Sequence, residues 1–576
     1  MYDETLTRSC FPAQRELPVL ETTVGGVLRA QAGRRRGADA LVEAGASGER
    51  GRCWTYGDLL FDAERLARAL LSRFRPGERI CVWAPNAPEW VLLEYGAALA
   101  GLTLVTANPA YQERELRYVL EQSNAVGLFL VREHRGNPMA RIAEAAAAGN
   151  ARLRGIFDLE DHEALFAGSG WGGTLPEVAA GDAAQIQYTS GTTGFPKGAI
   201  ISHRGITNNA RLHYLRAGIG EGDTTLNFMP LFHTASCGMA TLGSVQLGCR
   251  MVLARLFDAS TMLDVIERER VAALIAVPTM LVALVEAQRQ RRRDVSSLRS
   301  VTSGGSMVPA ELIRQVEEVL GWDVLPLYGQ TENSPLLTQV RPDDPVDVRR
   351  TSVGQAMPQT EISIRDPRTN AVVDIGAVGE ICTRGYAVMI GYNDNPEATA
   401  AAVDPEGWLH TGDLGRMDSR GFVSITGRVK EMIIRGGENL FPAEIEAVLL
   451  EHPSVAEVAV VGMPDARWGE LVCAFVRLGP GAILDELELT AHCRERMAPQ
   501  KTPARWIEVS EWPLTGSGKI QKFVLRERLM AQDRACRKRD PSLIRVTDDP
   551  SGDRCEGGGG GNKQAEGARS GTTPQV

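Results

Sequence analysis

Residues 188–199 read Tyr-Thr-Ser-Gly-Thr-Thr-Gly-Phe-Pro-Lys-Gly-Ala, and this stretch decides how the fold is interpreted. The alternating run 184–188 leads into it and predicts a strand. Three glycines and Pro196 then oppose a helix, so a loop is expected. Such a loop can turn backbone N–H groups towards anionic oxygens, while hydroxyl groups and a lysine add donors and positive charge. We therefore predict a phosphate-binding loop formed by Thr189, Ser190, Gly191, Thr192, Thr193, Gly194 and Lys197.

The residue order excludes two commoner nucleotide motifs. The P-loop pattern needs Gly directly before its Lys and Ser or Thr directly after it, whereas Pro196 precedes Lys197 and Gly198 follows it. Residues 168–173 match G-x-G-x-x-G, but they follow no predicted strand and open no predicted helix, as a dinucleotide fingerprint requires. We interpret them as a Gly-rich connection.

Composition limits the class of protein. The 576 residues suffice for two or more domains, and the apolar fraction of 43% is ordinary for a protein with a large core. The net charge of −9 gives no sign of a broad basic surface, so nucleic acid is not an expected partner. Ten cysteines are scattered without a C-x-x-C pair, which argues against structural zinc and disulfides and favours a reducing, cytoplasmic location. The apolar stretches fall short of the ~20 residues of a membrane span, so no integral membrane segment is expected and peripheral association is left open.

Strands and helices alternate before the loop. Strands are predicted over 80–83 and 102–106, with a helix over 88–100 between them. This order predicts a parallel sheet covered by helices. Residues 1–50 show little pattern, and residues 340–427 look rich in short strands.

Further motifs occur along the chain. They are Pro230-Leu231-Phe232-His233, Ser303-Gly304-Gly305-Ser306, Tyr328-Gly329-Gln330-Thr331-Glu332, Thr411-Gly412-Asp413, Arg428-Val429-Lys430, Gly436-Gly437-Glu438-Asn439 and Pro513-Leu514-Thr515-Gly516-Ser517-Gly518-Lys519. Together with the loop they resemble the signature of the adenylate-forming superfamily, which includes acyl-CoA synthetases, firefly luciferases and peptide-synthetase adenylation domains. The resemblance covers roughly residues 50–530, and the motifs stand in the family's order.

The resemblance implies a nucleotide site. Tyr328 offers a flat face for adenine beside the turn at Gly304, and Asp413 can accept both ribose hydroxyls. Gly329 would let the backbone approach the acyl-phosphate. Thr331 would hydrogen-bond a phosphate oxygen.

The resemblance also implies catalytic and hinge positions. Glu332 is a hard oxygen ligand for Mg²⁺, which proteins bind through one or two carboxylates plus phosphates. Lys519 stands where the family carries its catalytic lysine, and Arg428 where an arginine contacts ribose and phosphate. Lys430 occupies the family's hinge position, and His233 belongs to a segment that lines the pocket of the carboxylic acid.

Two segments concern the other substrates. Gly436 and Gly437 form a turn that lies along the pantetheine route in CoA-using relatives. Small residues after His233 would leave an opening for an acyl chain, although they also permit close helix packing: Ala235, Ser236, Gly238 and Ala240.

The implied fold is α/β and α+β. It consists of a large N-terminal layered αβ domain with a small β-barrel subdomain, followed by a small mobile C-terminal α+β domain. We expect a weakly patterned segment over 1–50, the adenylation domain over 51–429, the C-terminal domain with the lysine loop over 430–535, and a tail over 536–576. The tail is expected to be disordered because it is almost devoid of apolar residues.

The implied activity is that of an AMP-forming acid–CoA ligase, most like fatty acyl-CoA synthetases, using ATP, Mg²⁺ and CoA. Two relatives of that activity remain as alternatives: a fatty acyl-AMP ligase that loads a carrier protein, and an aryl-acid–CoA ligase. A peptide-synthetase adenylation domain is disfavoured because no carrier domain follows. A catalytically dead binding protein would be expected to lack Lys519 or Glu332, and a serine hydrolase would need a G-x-S-x-G elbow, which we do not find.

Overall fold

The computed structural model describes residues 5–189, 196–436, 438–479, 481–513 and 520–539. Its α-helices are α1 (Val24–Arg35), α2 (Tyr56–Leu71), α3 (Pro88–Leu99), α4 (Glu113–Gln122), α5 (Met139–Ala147), α6 (His162–Phe166), α7 (His203–Arg216), α8 (Gly243–Leu247), α9 (Ala259–Glu269), α10 (Pro278–Gln290), α11 (Ala310–Leu320), α12 (Val346–Thr351), α13 (Pro396–Ala402), α14 (Pro442–Leu450), α15 (Glu486–Arg496) and α16 (Lys522–Arg539). A π-helix spans Ala235–Leu242, and 3-10 turns span Thr331–Asn333, Val429–Glu431 and Pro499–Lys501.

The strands of the described residues form four sheets. They are β1 (Cys10–Phe11), β2 (Asp39–Ala44), β3 (Arg50–Thr55), β4 (Arg79–Trp83), β5 (Thr103–Thr106), β6 (Gly127–Leu130), β7 (Ile156–Asp158), β8 (Ala183–Thr189), β9 (Lys197–Ser202), β10 (Thr224–Asn227), β11 (Arg250–Ala254), β12 (Ala273–Ala276), β13 (Ser300–Ser303), β14 (Asp323–Gly329), β15 (Leu336–Gln339), β16 (Gln355–Ala356), β17 (Thr360–Arg365), β18 (Gly379–Gly385), β19 (Gly391–Tyr392), β20 (Leu409–Met417), β21 (Val423–Arg428), β22 (Ile433–Arg435), β23 (Glu438–Leu440), β24 (Val455–Asp465), β25 (Gly469–Leu478) and β26 (Arg505–Glu508).

A seven-stranded sheet carries the predicted loop and has the order β19-β9-β8-β5-β4-β6-β7. Its members β8, β5, β4, β6 and β7 are parallel, and helix α3 connects β4 to β5. Pro88 stands in the first turn of α3, where its missing N–H costs nothing, and every residue of this helix is buried. The predicted strand–helix–strand unit is therefore confirmed.

A nine-stranded sheet has the order β16-β15-β14-β13-β12-β10-β11-β2-β3. Strands β2, β11, β10, β12, β13 and β14 are parallel, and β15, β16 and β3 are antiparallel to their neighbours. Residues before 51 are thus more structured than their pattern suggests, because they supply α1 and the sheet strand β2. Val42 of β2 is buried beside β11, which explains why this polar-flanked stretch is ordered.

A five-stranded antiparallel sheet, β1-β17-β18-β20-β21, follows in the position of the expected small β-barrel. In the described residues its end strands β1 and β21 are not paired with each other. The smaller C-terminal domain is α+β as expected: β22 to β26 form its sheet, and α14 and α15 pack together beside it. The domain boundaries at 429, 430 and 535 remain predictions.

Residues up to Leu525 form one compact unit, and the chain from Arg526 forms a second, of which the structure describes the continuation of α16. The expected disordered tail lies almost entirely outside the described residues. Among the described helices, none has the length and apolar character needed to cross a membrane.

Candidate active site

The predicted motifs lie at the carboxyl ends of parallel strands in two sheets. Strand β8 ends at Thr189, β13 ends just before Gly304, and β14 ends at Gly329. Ligands of open α/β sheets bind in the crevice outside these strand ends. The five-stranded sheet adds Asp413 from β20, so three sheets contribute to one candidate site.

The predicted phosphate-binding loop begins at the end of strand β8, and the antiparallel strand β9 follows it in sequence. Thr189 is the register partner of Lys197, so Lys197 is the first residue of strand β9, whereas the sequence analysis placed it in the loop. Ladder hydrogen bonding of β9 to both β8 and β19 overrides the loop-like composition of residues 197–199. Ser190, Gly191, Thr192, Thr193 and Gly194 lie outside the described residues.

Glu332 lies in the 3-10 turn that follows β14, and it is buried. Its Oε1 accepts hydrogen bonds from the Tyr392 hydroxyl at 2.9 Å and from the Thr189 hydroxyl at 3.4 Å. Its backbone carbonyl accepts the Met389 N–H at 2.8 Å. Within the described residues, Oε2 accepts no hydrogen bond, so one carboxylate oxygen is fixed and the other is open to a ligand. Thr331 opens the same turn and is half-buried.

Tyr392 is a site residue that the sequence analysis missed. Its ring lies under Lys197, with 4.8 Å between Nζ and the ring centroid, while its hydroxyl donates to Glu332. Burial raises the pKa of the Tyr392 phenol and the neighbouring Glu332 carboxylate raises it further, so the hydroxyl stays protonated as a donor. Tyr392 thereby links Lys197, a predicted phosphate ligand, to Glu332, the predicted metal ligand.

Tyr328, Asp413 and Arg428 form a second group. The Tyr328 hydroxyl donates to Asp413 Oδ2 at 2.8 Å, and Arg428 Nε lies 2.9 Å from Asp413 Oδ1. Asp413 and Arg428 are register partners on β20 and β21. Burial, with Asp413 as the next cause, raises the pKa of Tyr328. Both oxygens of Asp413 are thus oriented by fixed partners, although it remains able to accept further hydrogen bonds.

Two glycines of the motifs serve backbone packing. A Cβ on Gly304 would lie 2.6 Å from the carbonyl oxygen of Leu327, which brings this turn against the strand of Tyr328. A Cβ on Gly329 would lie 2.1 Å from the carbonyl oxygen of Pro335. The observed close approach at Gly329 is therefore to the backbone of the next hairpin arm, whereas the sequence analysis assigned it to the acyl-phosphate.

His233 is exposed and precedes the π-helix Ala235–Leu242, and its Nδ1 accepts the Ala235 N–H at 3.2 Å. The small residues after it are used in packing. A Cβ on Gly238 would lie 3.1 Å from Ile206 of α7, and the Ser236 hydroxyl bonds to the Met229 carbonyl at 2.7 Å. At these two positions the structure shows close packing, and the acyl-chain opening stays a prediction.

The π-helix is tied to strand β8 by buried polar side chains. Gln187 Nε2 donates to Cys237 Sγ at 3.1 Å, Cys237 Sγ donates to Gln185 Oε1 at 3.4 Å, and Gln185 Nε2 donates to Glu94 Oε1 at 2.7 Å. Burial raises the pKa of Glu94 well above its usual value. This network fixes the element after His233 relative to the strand that ends at Thr189.

The C-terminal motifs are described in part. Lys430 lies in the 3-10 turn Val429–Glu431, and Gly436 has φ +59° with its N–H donating to the Trp468 carbonyl at 2.7 Å. Gly437 and Lys519 lie outside the described residues. Close to the predicted lysine loop, Lys522 Nζ lies 2.8 Å from Glu446 Oε1 and 3.1 Å from Glu431 Oε2.

Several buried polar atoms near the strand ends lack a hydrogen-bond partner in the described part of the chain. They include Ser303 Oγ, Thr302 Oγ1 and Gln330 Nε2. Since buried polar groups are normally paired, these atoms are sites for water or ligand atoms. Their position beside Gly304 and Glu332 fits a polar ligand in this crevice.

Comparison with known proteins agrees with the motifs. The sequence-family model of the AMP-binding enzymes matches residues 28–393, and the family model of the AMP-binding enzyme C-terminal domain matches residues 444–519. The chain is 36% identical to the acyl-CoA synthetase YngI of Bacillus subtilis (strain 168), a name that is itself provisional, over 88% of this chain and 97% of that protein. It is also 36% identical to the mitochondrial medium-chain acyl-CoA ligase ACSF2 of Macaca fascicularis, over 89% of this chain and 88% of that protein.

A solved structure shows the same architecture. ATP-bound MatB from Rhodopseudomonas palustris superposes with a TM-score of 0.81 at 28% identity, covering 88% of this chain and 99% of that one. The two family models, the relatives and the arrangement of the motifs lead to one assignment. The chain belongs to the AMP-binding enzymes, a superfamily that forms adenylates.

Proposed function

We propose that a medium-chain fatty acid is the acid that this AMP-forming acyl-CoA ligase activates. The chain length rests on the relative named as a medium-chain acyl-CoA ligase, which is 36% identical over 89% of this chain. The adenylating chemistry is supported by one observation: strand β14 and the turn after it carry both groups of predicted site residues. Tyr328 faces Asp413 and Arg428 on one side, and Glu332 faces Thr189 and Tyr392 on the other.

The first step joins two anions. An oxygen of the acid attacks the α-phosphorus of ATP, the bond to the bridging oxygen breaks, and pyrophosphate leaves with that electron pair. Repulsion between the carboxylate and the phosphates is the main obstacle, so fixed positive charge and N–H donors supply the catalysis. We assign Lys197 and the hydroxyl of Thr189 to the phosphates, and Asp413 with Arg428 to the ribose.

Mg²⁺ is compatible with the site, because Glu332 has one oxygen fixed by Tyr392 and Thr189 while the other accepts no hydrogen bond within the described residues. When bound, the ion would neutralise phosphate charge. Thr331, beside Glu332 in the same turn, is the proposed donor to a phosphate oxygen. The lysine at 519 is proposed as the charge that reaches the reacting phosphate during adenylation.

The second step transfers the acyl group. The CoA thiolate attacks the acyl carbon of the acyl-AMP, the bond to the phosphate oxygen breaks, and AMP leaves. We place the pantetheine arm along the turn at Gly436 and Gly437, and the acid beside His233. Rotation of the C-terminal domain about Lys430 between the two steps is part of the proposal.

The test is a product analysis. Purified protein receives ATP, Mg²⁺ and a panel of straight-chain fatty acids and benzoic acids, with and without CoA, and mass spectrometry detects acyl-AMP and acyl-CoA. We expect CoA thioesters with an optimum at medium chain length, and no product from Glu332→Ala. The matched control is Glu361→Ala, which removes a half-buried carboxylate that pairs with Arg384 within the five-stranded sheet.

The other outcomes separate the alternatives. Acyl-AMP that accumulates and ignores CoA would point to a carrier-protein acceptor and would contradict the pantetheine assignment. An optimum with benzoic acids would contradict the fatty-acid assignment. Absence of any adenylate would contradict the proposed chemistry.

A further inference from the structure

We propose that Glu380 is a positioning residue that holds the Asp413 carboxylate in place for the ribose of ATP. The inference rests on the ribose role of Asp413 under the proposed function. Glu380 lies on β18, and within the described residues no side-chain hydrogen bond or ion pair joins it to Asp413. Its two carboxylate oxygens instead hold the backbone and a side chain of the segment 410–413.

The segment 410–413 is a bulge in the sheet. Cys382 pairs with His410 and Glu380 pairs with Leu414, so residues 411–413 on β20 face a single residue on β18. A bulge leaves N–H and C=O groups out of the ladder and re-aims side chains, and bulges are frequent next to active sites. Gly412 adopts φ +71°, a conformation that favours glycine. The bulge is what turns Asp413 towards Tyr328.

Side chains replace the missing ladder bonds. Glu380 Oε1 accepts the Gly412 N–H at 2.9 Å, and the Thr411 hydroxyl donates to the Ile381 carbonyl at 2.7 Å. Glu380 Oε2 lies 2.9 Å from His410 Nδ1. Both oxygens of the Glu380 carboxylate are therefore hydrogen-bonded to the bulge segment, one at His410 and the other at Gly412. Without them the Gly412 N–H has no partner within its own ladder, and the geometry of Asp413 loses its support.

A metal site is the competing interpretation of the same cluster. Donor atoms of Glu380, Cys382 and His410 lie within 4.8 Å of one another, and these residue types are zinc ligands. However, both Glu380 oxygens and His410 Nδ1 are already hydrogen-bonded. Burial, and next the Glu380 carboxylate, raises the pKa of the Cys382 thiol, which opposes the thiolate that zinc requires. The contacts favour positioning.

The test uses the ribose itself. Pyrophosphate release is measured with ATP and with 2′-deoxy-ATP and 3′-deoxy-ATP for the wild type, Asp413→Asn, Glu380→Ala and the control Glu361→Ala. Charge-assisted hydrogen bonds contribute about 1.5–3 kcal/mol, so the wild type should prefer ATP by roughly 10-fold or more in kcat/KM. We expect this preference to collapse towards one in Asp413→Asn and in Glu380→Ala, and to persist in Glu361→Ala.

Two further measurements make the result specific. The double variant Asp413→Asn/Glu380→Ala should show the same ratio of kcat/KM for ATP over the deoxy-ATPs as Asp413→Asn alone, because Glu380 acts through Asp413. KM for ATP should rise in Glu380→Ala while KM for the fatty acid stays unchanged. If Glu380→Ala does not fold, Glu380→Gln, which retains the volume but cannot accept from both partners in the same way, is assayed in its place and should show a partial loss.

The outcomes are distinguishable. Full ribose preference in folded Glu380→Ala, or in Glu380→Gln where that substitute is used, overturns the inference. Full preference in Asp413→Asn overturns the ribose role under the proposed function instead. One equivalent of zinc in the purified wild type that is lost in the Glu380 variant also overturns positioning in favour of a metal site.

Discussion

Replacement of Lys522 by methionine should destabilise the C-terminal domain and slow adenylation. The Lys522 ammonium lies between Glu446 and Glu431, with side-chain exposures of 20% for Lys522, 16% for Glu446 and 33% for Glu431. Burial alone would lower the pKa of Lys522, but the carboxylates of Glu446 and Glu431 outweigh it and the pKa is raised. The lysine is therefore charged, and it neutralises the charge of the two carboxylates.

The expected loss in the free energy of unfolding follows from the carboxylates that remain unpaired when the lysine is removed. Removing one partner of a buried ion pair costs about 3–5 kcal/mol, because the other charge stays buried and unpaired. Glu431 can regain water, whereas the more buried Glu446 would keep the Val460 N–H as a donor at 2.6 Å. We therefore expect Lys522→Met to lower the free energy of unfolding by about 2–4 kcal/mol, slightly less than for a fully buried ion pair.

Urea denaturation followed by the fluorescence of the nearby tryptophans measures this cost. The second variant, Lys522→Met/Glu446→Gln, removes the stranded charge and should recover part of the loss. In parallel, adenylation should slow more than thioester formation from supplied acyl-AMP, since Lys522 anchors the chain directly after the proposed lysine loop. A cost below about 1 kcal/mol, or a further loss on adding Glu446→Gln, would refute the reasoning.

Four further predictions follow from the site and the core. Glu332→Gln should lower adenylation by about 100-fold and raise the Mg²⁺ concentration needed for half-maximal rate, and an unchanged Mg²⁺ titration would contradict its role as ligand. Tyr392→Phe keeps the ring under Lys197 but removes the donor to Glu332, so it should lower adenylation about tenfold, and Tyr392→Leu should lower it further; wild-type activity in Tyr392→Phe would mean that the hydroxyl does not matter, and equal losses in both variants would mean that the ring does not. Lys519→Ala should slow adenylation by about 100-fold or more yet still convert acyl-AMP plus CoA, and equal loss in both steps would exclude a role restricted to adenylation. Burial lowers the pKa of His203 and of His213 to about 4; the unfolded chain binds their protons first, so stability is complete above about pH 6.5 and should fall by roughly 3 kcal/mol per histidine as the pH drops towards 4. Urea denaturation at several pH values checks this, and a slope unaffected by His203→Asn would argue against it.

The sequence alone predicts the elements whose apolar pattern is strong. The strands at 80–83 and 102–106 and helix α3 between them appear within a residue or two of expectation, because they are buried and their pattern is local. Strand β2 was missed because its place inside the nine-stranded sheet depends on β11, about two hundred residues further on, in addition to the neighbouring strand β3. The loop-like residues 197–199 form a strand because they pair with the nearby strand β8 and with the distant strand β19.

The site shows the same division between local and distant information. Tyr328, Glu332, Asp413 and Arg428 lie in ordered motifs that carry their own signature, and the structure brings them into the two groups described above. Tyr392 and Glu380 carry no such signature, since each acquires its meaning only from residues far away in the chain. For Gly329 the sequence predicts a role at the acyl-phosphate, which stays a prediction, but it does not reveal that the Pro335 backbone lies beside this glycine.

Because three sheets contribute residues to one site, nucleotide binding has a consequence for the stability of the fold. Thr189 belongs to the seven-stranded sheet, Tyr328 to the nine-stranded sheet and Asp413 to the five-stranded sheet. A nucleotide bound to all three would act as a non-covalent cross-link between these sheets. At one hundred times its dissociation constant such a ligand adds about 2.7 kcal/mol to the free energy of unfolding. A packing defect deep in any one layer would therefore first be seen as weaker nucleotide affinity, with the chemical step itself left intact.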